Sequence, residues 1–270
     1  MRPVDPVERH LFLEGVFLRY GYDFRQYSEA SINRRLGSLQ DKHGDECLLD
    51  TLKRVLRSPD SFREVLPLLT VGTTEFFRDP QFFRALREKV FPVLRTYPTF
   101  KIWIAGCSTG EEILSLCIAL KEEGLLDRAI IHATDINPLA LRRARDGIYD
   151  LASVETFTRN YVAAGGTQSP SEYYTSDYRL VSFHEHNLVT DAVFTEAHLI
   201  LCRNVLIYFN RELQNRALNL FSQSLAYRGF LAIGSKESLR FSEVQSFFTP
   251  VDAAQNIHQQ RPFDAAEGAP

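Results

Sequence analysis

The sequence predicts an α/β protein, a mostly parallel sheet covered by helices, preceded by an all-helical domain. Three observations predict it. The first hundred residues carry helical periodicity and no convincing period-2 run. After Pro98, short apolar runs alternate with helical patterns of about 10–15 residues, the rhythm of a parallel sheet. The 270 residues are 44% hydrophobic and 24% charged, which suits one large domain or two modest ones and excludes a largely disordered chain.

In chain order, Leu11, Gly15 and Leu18, then Ile32, Leu36 and Leu39, then Leu49, Leu52, Val55 and Leu56 fall at helical spacing. Ser28 and Ser31 suit N-caps, Gly44 a stop, and Ser58-Pro59 a turn into the next helix. A further helix runs from Pro80 to Leu94 and ends near Tyr97-Pro98. Strands are then expected at Lys101–Ala105, Ala129–Thr134, Leu180–His186, His198–Cys202 and Phe230–Gly234. Helices are expected at Glu111–Glu123, Pro138–Arg145 and Arg211–Tyr227. This places the division near residue 96, with a helical domain over 1–95 and the sheet domain over 96–263. The polar, tyrosine-rich stretch 147–180 is too long for an ordinary αβ loop and reads as an inserted β-subdomain. Residues 264–270 read as a disordered tail.

Composition narrows the function classes. A net charge of −3 offers no overall positive field, so nucleic acid is not an expected partner. Cys47, Cys107, Cys117 and Cys202 lie far apart, without zinc-ligand spacing, so no metal is expected. His184 and His186 share a strand face, but no third ligand is evident. The first residues lack the apolar core of a signal peptide, and no run approaches the ~20 apolar residues of a membrane span. A cytoplasmic protein with reduced thiols and no membrane insertion is expected.

The most informative segment is Ile104–Glu112, IAGCSTGEE, where a strand enters a loop of small residues that opens a helix. Such a loop lets a ligand approach the backbone at a helix N-terminus beneath the first strand of an open sheet. It lacks both GxGxxG and a P-loop lysine, and Glu111 and Glu112 would repel a pyrophosphate. The alternative is a plain strand–helix turn whose acids complement the helix dipole. Asp135 weighs against that alternative. It ends the second strand where dinucleotide-type sites place an acid for ribose hydroxyls, while Asn137 is the better cap for the helix at Pro138. A nucleoside without phosphates that carries a positive centre describes S-adenosylmethionine. Cys107 suits a small loop residue better than a nucleophile, because no histidine adjoins it.

At this point TTEFFRDP (Thr73–Pro80), AGCSTGEE (Ala105–Glu112), ATDIN (Ala133–Asn137), HNL (His186–Leu188) and CRNVLIYF (Cys202–Phe209) resemble the chemotaxis receptor methyltransferases, the CheR family. RYGYDFRQY (Arg19–Tyr27) is similar too. The resemblance implies a Rossmann-like S-adenosylmethionine-dependent methyltransferase domain with a small β-subdomain insertion, after a helical N-terminal domain. It implies methylation of glutamate side chains on chemoreceptor cytoplasmic helices, with S-adenosylhomocysteine as product. Thr74 and Arg78 would close the site over the cofactor. Glu111 would bind the methionyl amine and Asp135 the ribose. Asn187-Leu188 and Arg203-Asn204 would flank the adenine and the cofactor, and Tyr208 would lie near the transferred methyl. The N-terminal domain would dock the acidic receptor helices, with Arg34 and Arg35 as the expected contacts; a merely solvated helix face is the alternative. The family commonly has Asn where this chain has Gly72, and Pro-Tyr where it has Ile113-Leu114.

The chemistry agrees with such a site. A glutamate carboxylate, with an ordinary pKa of about 4.3, is already ionised near neutrality and needs no general base. The enzyme has only to align its oxygen with the departing sulfur and exclude water. Arg78 suits a carboxylate through its two-pronged guanidinium, either the methionyl one of the cofactor or the substrate's; an ion pair with Asp79 or Glu75 is the alternative. Tyr208 is either a wall of the site or a buried aromatic after a strand. The loop Ser235–Glu237 ends a strand on the ligand side of the sheet. Two other functions compete: a methyltransferase of the same fold acting on another protein or a small molecule, and a non-catalytic cofactor-binding adaptor.

Overall fold

The computed structural model describes residues 4–70, 74–149, 154–167 and 180–262. Gly72, Ser169-Pro170 and the 264–270 tail fall outside them. The chain divides into two units, one of residues 1–72 with 207–216, the other of 73–206 with 217–270.

The first unit is built on helices α1 (Pro6–Tyr20), α2 (Glu29–His43), α3 (Leu48–Arg57) and α4 (Pro59–Leu69). Asp5 caps α1 by accepting the Val7 and Glu8 N–H groups, and the Glu8 carboxylate accepts Leu48 N–H at the start of α3. Ser58 caps α4, and Gly44 ends α2 in a left-handed conformation. Phe12, Val16, Phe24, Leu36, Leu39 and Val55 form the fully buried centre of its core. Tyr20 stacks on Phe62 at 4.0 Å and donates its hydroxyl to Val55 C=O. The stretch 207–216 joins this unit through a Tyr27–Phe209 bridge, a Ser28 N–H bond to Tyr208 C=O, and an Asn210 N–H bond to Gln26 C=O.

The second unit is organised by a seven-stranded sheet in the order β3-β2-β1-β4-β5-β7-β6. Its strands are β1 (Phe100–Ala105), β2 (Ala129–Asp135), β3 (Val181–Glu185), β4 (Ala197–Cys202), β5 (Leu225–Ile233), β6 (Phe248–Asp252) and β7 (Ile257–Gln260). The first five run parallel, and β7 lies antiparallel to both β5 and β6. Ile102, Trp103 and Ile104 are fully buried, as a central parallel strand covered on both faces requires. Strand order reverses at β1, which pairs with β2 on one side and β4 on the other. In open parallel sheets, ligands bind beyond the carboxyl ends of the strands at such a point.

The helices of this unit are α5 (Pro80–Ala85), continued by a π-helical turn Leu86–Val90 and α6 (Phe91–Leu94), then α7 (Glu111–Glu122), α8 (Pro138–Asp146), α9 (Val154–Ala163) and α10 (Arg211–Ser224), whose first turns belong to the helical unit. Three features differ from the sequence reading. The division falls after Gly72 and not near residue 96, because Phe82, Phe83, Val90 and Phe91 share one core with Phe100, Ile102 and Ile104. The β6–β7 hairpin has no counterpart in that reading. Within 147–180, helix α9 occupies the centre, and residues 150–153 and 168–179 of the expected β-subdomain lie outside those described.

Candidate active site

The β1–α7 loop turns on Gly106, with φ of 77°, where a Cβ would come within 2.4 Å of Val205 Cγ2. Gly106 and Cys107 both donate to Thr134 C=O, locking the loop to the end of β2. Ser108, with φ of 51°, then turns its N–H onto Asp135 Oδ2 at 2.8 Å. Asp135 Oδ1 accepts Asn137 N–H at 2.8 Å, while Asn137 itself caps α8. Asp135 and Asn137 thus divide the labour as their spacing suggests. The Ile136 N–H also bonds the Asp135 carboxylate, whose four lone pairs exceed these three backbone donors. Burial raises the Asp135 pKa against the lowering effect of these backbone bonds.

The two glutamates that open α7 have different surroundings. Glu112 Oε1 receives Arg203 Nη1 at 2.6 Å. Glu111 Oε2 receives the Thr109 hydroxyl at 2.7 Å, its carboxylate also accepts its own backbone N–H, and no described residue offers it a cation. Burial raises its pKa as well. Glu111 and Asp135 are therefore two uncompensated acids bound to adjacent loop residues, Thr109 and Ser108. Ser108 Oγ lies buried between these contacts without a partner of its own.

Arg203, expected at the cofactor, is an internal clamp, with only 2% of its side chain exposed. It bridges Glu112, Asp79 and Arg78 C=O, and its guanidinium lies 4.0 Å from the Phe82 ring centroid. Only Nε is left without a partner. The clamp fixes a turn in which Phe77 and Asp79, on either side of Arg78, have φ of 48° and 55°. Left-handed backbone at such residues costs about 1–3 kcal/mol each and persists only where the surroundings impose it. Here Ser115 Oγ accepts Phe77 N–H, and Asn160 donates to Phe76 C=O. Arg78 itself is half-buried, and no described residue pairs with its guanidinium, Asp79 being taken by Arg203. Thr74 is half-buried just upstream.

Asn187 forms a tight turn after β3, its Oδ1 accepting Val189 N–H and its own N–H held by Asp191, and Leu188 is buried within that turn. Asn204 follows Arg203 in a left-handed conformation. His184 and His186 pack around Phe194. No group of three potential ligands among the described residues could hold a metal. Burial pushes the Cys107 thiol well up, away from a nucleophilic thiolate. Ile113 and Leu114 are buried in α7 as packing residues. Tyr208 belongs to the helical unit, where Arg35 lies beneath its ring. Arg35 corrects its expected role in docking: it is 7% exposed and donates to Leu69 C=O. Its neighbour Arg34 is exposed. The residue missed from sequence was Glu237, named only as part of a loop; its carboxylate accepts Asn204 N–H.

The sequence profile of the CheR methyltransferase SAM-binding domain matches residues 72–256. The chain belongs to the CheR methyltransferase family. A protein of Pseudomonas putida named as the methyltransferase Cher3 is 48% identical over 266 residues, covering 94% of this chain and 97% of its own. The chemotaxis protein methyltransferase of Listeria monocytogenes is 31% identical over 226 residues, covering 81% of this chain and 85% of its own. Chemotaxis protein methyltransferase 1 of Vibrio cholerae is 31% identical, with 80% and 82% covered. The cofactor of this CheR family member is S-adenosylmethionine, and its residues fit it. Two half-buried acids without a cation among the described residues suit a cationic, phosphate-free nucleoside, and the orphaned Ser108 Oγ offers it a polar contact. Among the described residues no helix is long and apolar enough to cross a membrane.

Proposed function

We propose that this protein methylates glutamate side-chain carboxylates of chemoreceptors, forming glutamate methyl esters in chemotactic signalling. The observation that carries the reading is Arg78: a guanidinium on a rigid turn, without a carboxylate among the described residues. A group of that shape matches the two oxygens of an incoming carboxylate. The names of the Listeria and Vibrio relatives support the chemotaxis context.

When bound, S-adenosylmethionine supplies an electrophilic methyl group on a sulfonium. Glu111 would hold its amine and Asp135 its ribose hydroxyls, while Asn187, Leu188 and Asn204 would flank the adenine and Thr74 would help cover it. Arg78 orients the acceptor carboxylate and balances its charge. A carboxylate acceptor needs no base, so the task of these side chains is alignment and exclusion of water.

The test is a labelled-methyl assay on receptor cytoplasmic fragments carrying Glu or Gln at the acceptor positions. Base-labile label in the Glu fragments alone is expected. Cofactor binding without incorporation into any fragment would overturn the receptor reading and leave a different acceptor or a binding role.

A further inference from the structure

Glu237 lies in the loop after β5, and the function proposed above gives it no role. It is 7% exposed. Its Oε2 accepts the backbone N–H of Gly234 and, at 3.2 Å, that of Asn204 at the end of β4. Asn204 has φ of 61°, in the left-handed region that asparagine, among non-glycine residues, enters most readily, and the Glu237 carboxylate holds its N–H there. Gly234 makes the approach possible: a Cβ there would stand 2.8 Å from both Asn204 N and Glu237 Oε2. From the other side, Asn256 Nδ2 donates to the carbonyls of Gly234 and Glu237, at 2.9 and 3.0 Å. One buried carboxylate therefore ties together the ends of two adjacent parallel strands.

We propose that Glu237 is a positioning residue that holds Asn204 in the backbone geometry from which its side chain contacts the cofactor. The proposal rests on the assignment of Asn204 to cofactor contact. Loss of this carboxylate leaves the Asn204 and Gly234 N–H donors unpaired in a buried turn. Asn204 is then free to leave the left-handed region, and its amide moves with it.

A double-mutant cycle tests this, with S-adenosylhomocysteine affinity measured by calorimetry on the full chain. Glu237→Ala and Asn204→Ala should each weaken binding by about 5- to 100-fold, the effect of leaving buried donors unpaired or losing their contact. The double variant should bind no more weakly than Asn204→Ala alone, because Glu237 acts through that side chain. Losses that multiply would overturn the proposal. Glu237→Gln, which keeps an acceptor oxygen, should recover part of the affinity, and Gly234→Ala should imitate Glu237→Ala. These two variants carry the test if Glu237→Ala fails to fold. Hydrogen exchange in cofactor-free protein separates the proposal from the cofactor assignment. Glu237→Gln should speed exchange at the Gly234 and Asn204 amides; unchanged exchange there overturns the positioning role. Absence of binding by the wild type would instead overturn the cofactor assignment.

Discussion

The guanidinium carbon of Arg35 lies 4.5 Å from the centroid of the Tyr208 ring. Burial pushes the Arg35 pKa down, and Tyr27 and Tyr208 oppose that shift. The cation therefore sits on an aromatic face and a carbonyl inside the helical unit. Arg35→Ala should destabilise the protein by about 2–3 kcal/mol through loss of a desolvated cation–π contact and a charged hydrogen bond. Arg34→Glu should change stability by less than about 0.5 kcal/mol and raise KM for a receptor fragment. Chemical denaturation and steady-state kinetics separate the two; a stability-neutral Arg35→Ala would return Arg35 to the surface role.

Arg203 should behave as a structural clamp. Removing one member of a buried ion-pair network leaves the others uncompensated, and Arg203→Ala should lower unfolding free energy by about 3–5 kcal/mol. Urea denaturation reads this. Normal stability with lost cofactor binding would show instead that Arg203 touches the ligand.

Asp135→Ala removes two acceptors of backbone N–H and the carboxylate expected to meet the ribose. Cofactor binding should weaken by on the order of 1.5–3 kcal/mol. Calorimetry showing unchanged affinity would take Asp135 out of the site.

Glu111 and Asp135 also set a pH dependence. Both pKa values are raised by burial, so the folded chain holds these protons more tightly than the unfolded chain. Their stabilising contribution is complete below the ordinary carboxylate range and is lost as pH rises through the raised folded values. Glu111→Gln should therefore stabilise the cofactor-free protein at neutral pH, flatten this part of its stability profile, and weaken cofactor binding. Thermal melts across the acidic-to-neutral range check the sign; an unshifted profile would mean that burial does not strain Glu111.

The parallel sheet and its ligand loop were legible because their signals are local. KIWIA with the small residues after it is one such signal and the Asp135/Asn137 pair another, each confined to a few residues. Arg35 and Arg203 were not, since their burial depends on partners distant in sequence. Arg35 did leave a trace: it lies three residues after Ile32 and four before Leu39, on the buried stripe of α2. Residues 80–94 were grouped with the N-terminal helices because periodicity shows that a face is buried, not which core receives it. The β6–β7 hairpin escaped notice because Pro250, Gln259 and Gln260 break the pattern expected of strands.

The helical unit is completed by a ten-residue loan from far along the chain, residues 207–216. A protease nick at Gly72 would therefore not release it: the Tyr27–Phe209 bridge and the Ser28 and Asn210 backbone bonds would still fasten the cut piece. Grafting the unit onto another sheet would require both stretches. A transplant of residues 1–72 alone would leave Arg35 buried without the ring that covers it.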